Sequence, residues 1–445
     1  MKKKLIALLM VVCICWVSHP VSAATYNIDF ETSCQGIELV NLDTGTVVYQ
    51  KNADQKLYPA STTKIMTYIV AVEHIQDLEG TVITVTDEVV DELLGTGSSL
   101  AGVKKGEQLT AMDLLNCMMI PSGNDAALVL ADYVGGGDSQ KFVDMMNEKA
   151  AELGCKNTHF MNPHGLHDEQ HYTTAEDLYL ITKYAMTLPY FTEITSKTYY
   201  EIPATNVSPE PRNIYTTNML ISRNSGGDLY YQYAKGIKTG SHDQAGYCLV
   251  STAMKDGYSY LCVALGAPSV DENGEKVTPN GAFVDSKALY EWAFDTLSIK
   301  TVLNPEESVA QIPLEYAMNQ DKLLLVPESS YSTILPKDVS ETSVILTPNL
   351  PESIEAPVKK GQIIGTATLS YANQELAEIN LVAAESVERS ELLHTVDTVK
   401  EVVSAPWFLI VAAVIVFLLL VYIVLAIIYN RKRKNLRRVK KYRKM

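Results

Sequence analysis

Ser61 and Lys64 stand three residues apart in Ser61-Thr-Thr-Lys64, and the chain then supplies Ser122-Gly-Asn124 and Lys238-Thr-Gly240 in that order. Together these groups provide an alcohol, two amines, a second hydroxyl and an amide, which are the parts that acyl transfer through a serine ester requires. A lone Ser-x-x-Lys arises by chance on the order of once or twice in a chain of ordinary composition, and a lone Ser-Gly-Asn is as readily a helix cap. The ordered set is what points to chemistry. If Ser61 opens a helix, Lys64 lies one turn later on the same face and its amine reaches the hydroxyl. Lysine serves as a base only when its pKa is lowered, by burial or by a second cation, for which Lys238 is the candidate. Backbone N–H groups at the same helix start would face a developing oxyanion. Ser122 can relay a proton toward a leaving amine, and the Asn124 amide can hold a substrate carbonyl and the Lys64 side chain. Lys238-Thr239-Gly240 is expected to close a strand whose glycine admits a substrate backbone and whose edge can pair with an extended peptide.

The surrounding sequence predicts the elements that must position these groups. Ile37 to Tyr49 reads as a hairpin turning at Leu42-Asp-Thr-Gly45, and Thr62 to Glu73 as a helix, which puts Ser61 where loop becomes helix. Helices are expected within Ala111 to Tyr133, interrupted by Pro121 and Gly123, and at Ser139 to Leu153, Thr174 to Thr187 and Asp285 to Leu297. Tyr233 to Thr239, Gly246 to Met254 and Ser259 to Leu265 read as antiparallel strands, with Gly240 to Ala245 as the first turn. Past Ile299 the pattern becomes all-β, with runs at Leu323 to Val326, Ser343 to Leu346, Ile363 to Tyr371 and Glu378 to Val382. The expected division is a signal segment 1–23, a catalytic domain 24–299, a β module 300–390, a linker 391–406 without helix, a membrane span 407–429 and a basic tail 430–445.

The two ends shape the meaning of the charge. Lys2-Lys-Lys4, the apolar run Leu5 to Val17 and Val21-Ser-Ala23 have the make-up of a cleaved secretory signal. Trp407 to Tyr429 is apolar throughout and long enough to cross a bilayer, and Arg431-Lys-Arg-Lys434 follows it, so the tail is expected in the cytoplasm and the rest outside. Of 37 Lys and Arg, 13 fall in these two ends, which leaves 24 against 52 acids. An exported part so acidic argues against a nucleic-acid partner. Cys34, Cys117, Cys155, Cys248 and Cys262 remain after Cys13 and Cys15 leave with the signal, an odd number that favours free thiols over a disulfide framework.

Leu57-Tyr-Pro-Ala-Ser-Thr-Thr-Lys-Ile-Met66, Ser122-Gly-Asn-Asp-Ala-Ala127, Asn162-Pro-His-Gly-Leu166 and Gly236-Ile-Lys-Thr-Gly240 resemble the low-molecular-mass penicillin-binding proteins that act as D-alanyl-D-alanine carboxypeptidases, serine peptidase family S11. Ala356-Pro-Val-Lys-Lys-Gly-Gln-Ile-Ile-Gly365 and Leu381-Val-Ala-Ala384 are similar to the β module that follows the catalytic domain in many members. The resemblance implies an α+β, penicillin-binding or serine β-lactamase-like catalytic domain, an antiparallel sheet with helices, followed by a small all-β domain and, here, a single transmembrane helix. It implies Ser61 as the acyl-ester nucleophile on the penultimate D-Ala of a peptidoglycan stem peptide, Lys64 as general base, Ser122 as proton relay with Asn124 beside it, and the N–H groups of Ser61 and Ser241 as the oxyanion hole. Lys238, Thr239, Gly240 and Ser241 would bind substrate, β-lactam antibiotics would inhibit covalently, and no metal or cofactor is called for. One departure stands out. Members commonly carry an arginine before the helix ending in Leu-x-x-Trp, where it helps bind the substrate carboxylate; Asn280-Gly-Ala-Phe283 ahead of Trp292 has none, which leaves Lys276, Arg223 or Lys238 to compensate.

Other features weigh less. His159, His164, His167 and His171 cluster, but Pro163 and Gly165 break the segment and no single helical face results, so a loop beneath the active site is favoured over zinc. Tyr199, Tyr200, Tyr230, Tyr231 and Tyr233 could form a saccharide platform, against which strand packing is favoured. Three functional classes remain open on sequence: the carboxypeptidase, a related endopeptidase or transpeptidase, and a non-catalytic wall-binding sensor.

Overall fold

The computed structural model describes residues 26–442 apart from Leu94, so the expected signal segment and the last three residues lie outside the described residues. The chain divides by internal contacts into two compact units, one of residues 1–302, 331–345 and 369–377, the other of 303–330, 346–368 and 378–445.

At the centre of the first unit is a five-stranded antiparallel sheet in the order β2-β1-β9-β8-β7, formed by β1 (Gly36–Asn41), β2 (Val47–Lys51), β7 (Ala234–His242), β8 (Gly246–Lys255) and β9 (Tyr258–Ala267). Both faces of the central strands are covered, and the two-residue period of a strand decides which side chain goes where. Leu261, Val263 and Leu265 of β9 join one core with the helices α1 (Lys64–His74), α2 (Ala111–Met119), α3 (Asn124–Gly135), α4 (Ser139–Glu152) and α5 (Ala175–Ala185). Cys262 and Ala264 point the other way, into a second core with Leu289, Tyr290 and Ala293 of α6 (Gly281–Thr296). Helix ends follow local chemistry: the Thr110 hydroxyl accepts from Asp113 N–H while the Asp113 carboxylate accepts from Thr110, a closed capping box at the start of α2. The Asn280 side chain caps α6 by accepting from Ala282 N–H.

Three two-stranded ribbons complete this unit: β3 (Val82–Thr84) with β4 (Gln108–Thr110), β5 (Tyr199–Ile202) with β6 (Arg212–Tyr215), and β10 (Leu297–Leu303) with β13 (Tyr331–Pro336). None of them was expected from the sequence pattern; the strands of the first two are only three or four residues long, too short for alternation to stand out. All five described cysteines are free thiols.

Most of a six-stranded sheet belongs to the second unit: β11 (Ala310–Glu315), β12 (Lys322–Pro327), β14 (Ile345–Asn349), β15 (Ile354–Glu355), β16 (Ile363–Tyr371) and β17 (Gln374–Ala383), ordered β14-β16-β17-β12-β11-β15 around Ile312, Leu323, Leu325 and Leu381. The segment expected as a helix-free linker is corrected: it forms α7 (Glu391–Ser404). Its cause is readable in hindsight, since the Ser390 hydroxyl caps it by accepting from Leu393 N–H, Glu391 sits in the first turn, and Leu392, Val396, Val399 and Val403 recur at helical spacing. After Pro406 comes α8 (Pro406–Tyr442), whose stretch Pro406–Arg433 is 28 residues long, contains an 18-residue window of mean hydropathy 3.4 and is long enough to cross a membrane.

Candidate active site

Ser61 lies in a 3-10 turn, Ala60–Thr63, that runs directly into α1. The helix start expected at Ser61 is thus a tighter turn, in which residues three apart eclipse one another. That brings Lys64 Nζ within 2.8 Å of Ser61 Oγ. The two threonines between them fold the turn, because Thr62 Oγ1 donates to Pro59 O at 2.7 Å and Thr63 Oγ1 to Ala60 O at 2.8 Å. Ala60 holds a left-handed φ of 46°, a strained conformation for a residue with a Cβ. Gly165 packs against this bend so closely that a Cβ on it would lie 1.9 Å from Ala60 O, and its own φ of +89° also demands glycine.

Lys64 is fully buried, and its amine has three neighbours: Ser61 Oγ, Asn124 Oδ1 at 2.6 Å and the His164 carbonyl at 2.8 Å. None of the three carries a negative charge. The amide oxygen and the carbonyl can only accept, so in the neutral form of the amine they would take its two N–H groups and its lone pair would face the serine hydroxyl. Burial, and after it the neighbouring Lys238 ammonium, holds the Lys64 pKa well below the usual lysine range, with Asp125 opposing. Burial also pulls Lys238 down, to about 7.

Ser122 occupies the loop between α2 and α3 with a left-handed φ of 66°, and Asn124 is the first residue of α3. The loop is held by Asp125, whose carboxylate accepts from the N–H groups of Ala101, Gly102 and Val103 at 2.8–3.1 Å. Lys238-Thr-Gly240 does not close its strand as expected; it lies within β7, which continues to His242. β7 is the last strand of the sheet, so one of its edges has no strand partner within that sheet. Gly240 is required by the protein's own backbone, since a Cβ there would lie 2.8 Å from Pro59 O and 3.0 Å from Ser61 N. This close approach sets the Gly240–Ser241 stretch beside the Ser61 N–H.

Ser61, Ser122, Thr239, Gly240, Ser241 and Lys276 all line one cavity of about 330 Å³. Lys64, Asn124 and Lys238 are buried; Lys64 bonds Ser61 directly, and Asn124 is joined to Ser61 only through Lys64.

Residues 23–269 match the peptidase S11 family, described as D-alanyl-D-alanine carboxypeptidase, and residues 299–389 match the C-terminal domain of penicillin-binding protein 5. The chain belongs to this family. Among the relatives of this low-molecular-mass penicillin-binding protein is a D-alanyl-D-alanine carboxypeptidase of Bacillus subtilis (strain 168), 30% identical over 79% of this chain and 85% of the relative. Penicillin-binding protein 5 from Haemophilus influenzae superposes with a TM-score of 0.64 at 25% identity, covering 82% of this chain and 100% of that one. The Streptomyces K15 DD-transpeptidase does so with a TM-score of 0.55 at 28% identity, over 60% of this chain and 100% of that one.

Several supporting groups were not singled out by motif. Thr217 Oγ1 lies 2.5 Å from Thr239 Oγ1, fixing the motif threonine from β6's side of the cavity. His171 Nδ1 accepts from Met161 N–H at 3.1 Å, so its Nε2–H donates to Thr63 Oγ1 at 2.8 Å and steadies the turn that carries Ser61. Burial lowers the pKa of His171 to about 3, as it does for His164, where the Lys64 amine adds to the effect. The histidine segment expected beneath the active site therefore acts through neutral rings and one carbonyl. Of the three cations offered for the missing arginine, Lys276 is at the cavity and Arg223 is exposed outside its lining.

Proposed function

We propose that this chain removes the terminal D-Ala from peptidoglycan stem peptides, with Ser61 as nucleophile and Lys64 as the base that takes its proton. The single observation that carries the assignment is the buried Lys64 amine, 2.8 Å from Ser61 Oγ and held by two acceptor-only partners, so that its neutral form turns a lone pair to that hydroxyl. The hydroxyl proton passes to Lys64 as Oγ attacks the carbonyl of the penultimate D-Ala. The N–H groups of Ser61 and Ser241 stabilise the oxyanion. Collapse of the tetrahedral species expels D-Ala, whose amine receives a proton from Lys64 by way of the Ser122 hydroxyl, and water then hydrolyses the ester by the same base. The extended substrate pairs with the open edge of β7, Asn124 and Thr239 orient it, and its terminal carboxylate meets Lys238 from within and Lys276 at the rim. β-Lactams acylate Ser61 and block the site. The exported part stands outside the membrane, α8 crosses it, and the basic tail lies in the cytoplasm, following the excess of Lys and Arg after Arg431.

Intact-mass measurement of the protein incubated with penicillin should show one covalent adduct that Ser61→Ala abolishes; an adduct surviving in the variant would refute the nucleophile. Release of D-Ala from a peptide ending in Lys-D-Ala-D-Ala, measured with and without an acceptor amine, separates hydrolysis from transfer. The likeness to a DD-transpeptidase keeps that second reading alive, and product appearing only with the amine would establish it.

A further inference from the structure

We propose that the outer face of the β5–β6 ribbon is a docking platform for the glycan strand that bears the stem peptide. The inference rests on the substrate named above. The ribbon alternates cleanly. Ile202 and Ile214 turn inward and are buried, and the Tyr200 hydroxyl donates to Asp113 at 2.6 Å. Tyr199 and Tyr215 turn outward, 60% and 66% exposed, and are directly opposite each other in the strand register. Glu201 and Asn213, the next outward pair, are opposed in the same way. Residues opposed across an antiparallel pair have Cβ atoms about 4.5–5.5 Å apart, so the two side chains leave the same face of the ribbon side by side.

The outward rings of Tyr199 and Tyr215 are open to a ligand, and the buried strand-packing role expected for the tyrosines does not describe Tyr199. It does apply to Tyr231, which is buried and stacked on Tyr290. A pyranose fits the outward pair chemically: its C–H faces are apolar and suit tyrosine rings, while its rim of hydroxyl and N-acetyl groups suits the phenol, carboxylate and carboxamide alongside. Position supports the same occupant. β6 leads through Thr216 to Thr217, a residue of the catalytic cavity bonded to Thr239, and two extended residues span only about 7 Å. A stem of four residues reaches up to about 14 Å, enough for its acyl end to lie at Ser61 while the sugar rests on the ribbon.

The test uses the full-length protein and two substrates of identical peptide sequence ending in D-Ala-D-Ala, one free and one carried on an N-acetylated disaccharide. Tyr199→Ala with Tyr215→Ala should raise KM for the sugar-bearing substrate about tenfold, the scale of losing aromatic anchors. kcat should hold, KM for the free peptide should not move, and Tyr199→Phe with Tyr215→Phe, which keeps the ring faces and loses only the phenols, should recover most of the loss. An equal effect on both substrates, or none on either, overturns the platform; a protein-facing use of the ribbon would give the latter. If wild type releases D-Ala from neither substrate, the catalytic reading fails separately. Titrating the disaccharide alone against wild type and the alanine pair by NMR then decides the platform, and absence of binding to wild type overturns it.

Discussion

At the floor of the cavity, Lys64 is sealed from solvent with three hydrogen bonds and Lys238 is 1% exposed, bonded to the Thr239 carbonyl at 3.0 Å. At the rim, Lys276 is exposed on the short turn that runs from Ser269 to Val277, and it has no side-chain partner among the described residues. The same side chain is used for opposite purposes. Burial draws the Lys64 amine toward the neutral form in which it can serve as a base, whereas an amine at the solvated rim can offer only attraction.

Breaking the floor should have the largest effect. Lys64→Met keeps most of the volume and removes the lone pair, and penicillin acylation of Ser61 should slow by about 10²–10⁴-fold, the contribution of a positioned general base. Stopped-flow acylation rates measure this; a loss below about tenfold would mean that another group takes the proton. Gly165→Ala tests the turn rather than the base. Its Cβ would lie 1.9 Å from Ala60 O, so the nucleophile must shift. A displacement of about 1 Å commonly costs on the order of 10²-fold, and a lowered melting temperature should accompany it.

The pH profile separates the two buried amines. Lys64 must be neutral to act, so kcat/KM rises with pH as its last protons leave. Lys238 must be cationic to hold a carboxylate, and its pKa of about 7 means that this form is lost as pH rises through that value. The free-enzyme profile is therefore a bell whose alkaline limb belongs mainly to Lys238, with the coupled pair sharing the apparent values. Lys238→Arg retains charge and should move the alkaline limb upward. A limb that stays in place would assign it elsewhere.

How much of this was legible in the sequence follows the same division. Ser61, Lys64, Ser122, Asn124 and Lys238 announce themselves because a reaction restricts residue type and spacing, and the helices and long strands around them carry clear periodicity. The groups that steady them do not. The His164 carbonyl acts through backbone, which any residue possesses; Asp125 and Gly165 matter through contacts with Ala101 and Ala60, far away in sequence. The β5–β6 ribbon escaped because four residues per strand are too few to show alternation. In α7 the period was present, but Pro406 and the apolar run beyond it drew the eye to the membrane.

Sharpening the rim requires a smaller and more conditional effect. Lys276→Ala should raise KM for a peptide with a free terminal carboxylate by about two- to fivefold, because an exposed charge pair contributes up to about 1 kcal/mol. kcat should be unchanged, since a solvated contact of this kind is made equally in ground and transition states. The KM difference between wild type and variant should vanish at high ionic strength, which screens exposed charges and leaves the buried amines nearly untouched. A peptide amidated at its C-terminus should not distinguish the two proteins. If instead the variant loses kcat, or if salt leaves the difference intact, Lys276 is desolvated in the complex, and the turn that carries it must close over the substrate rather than stand beside it.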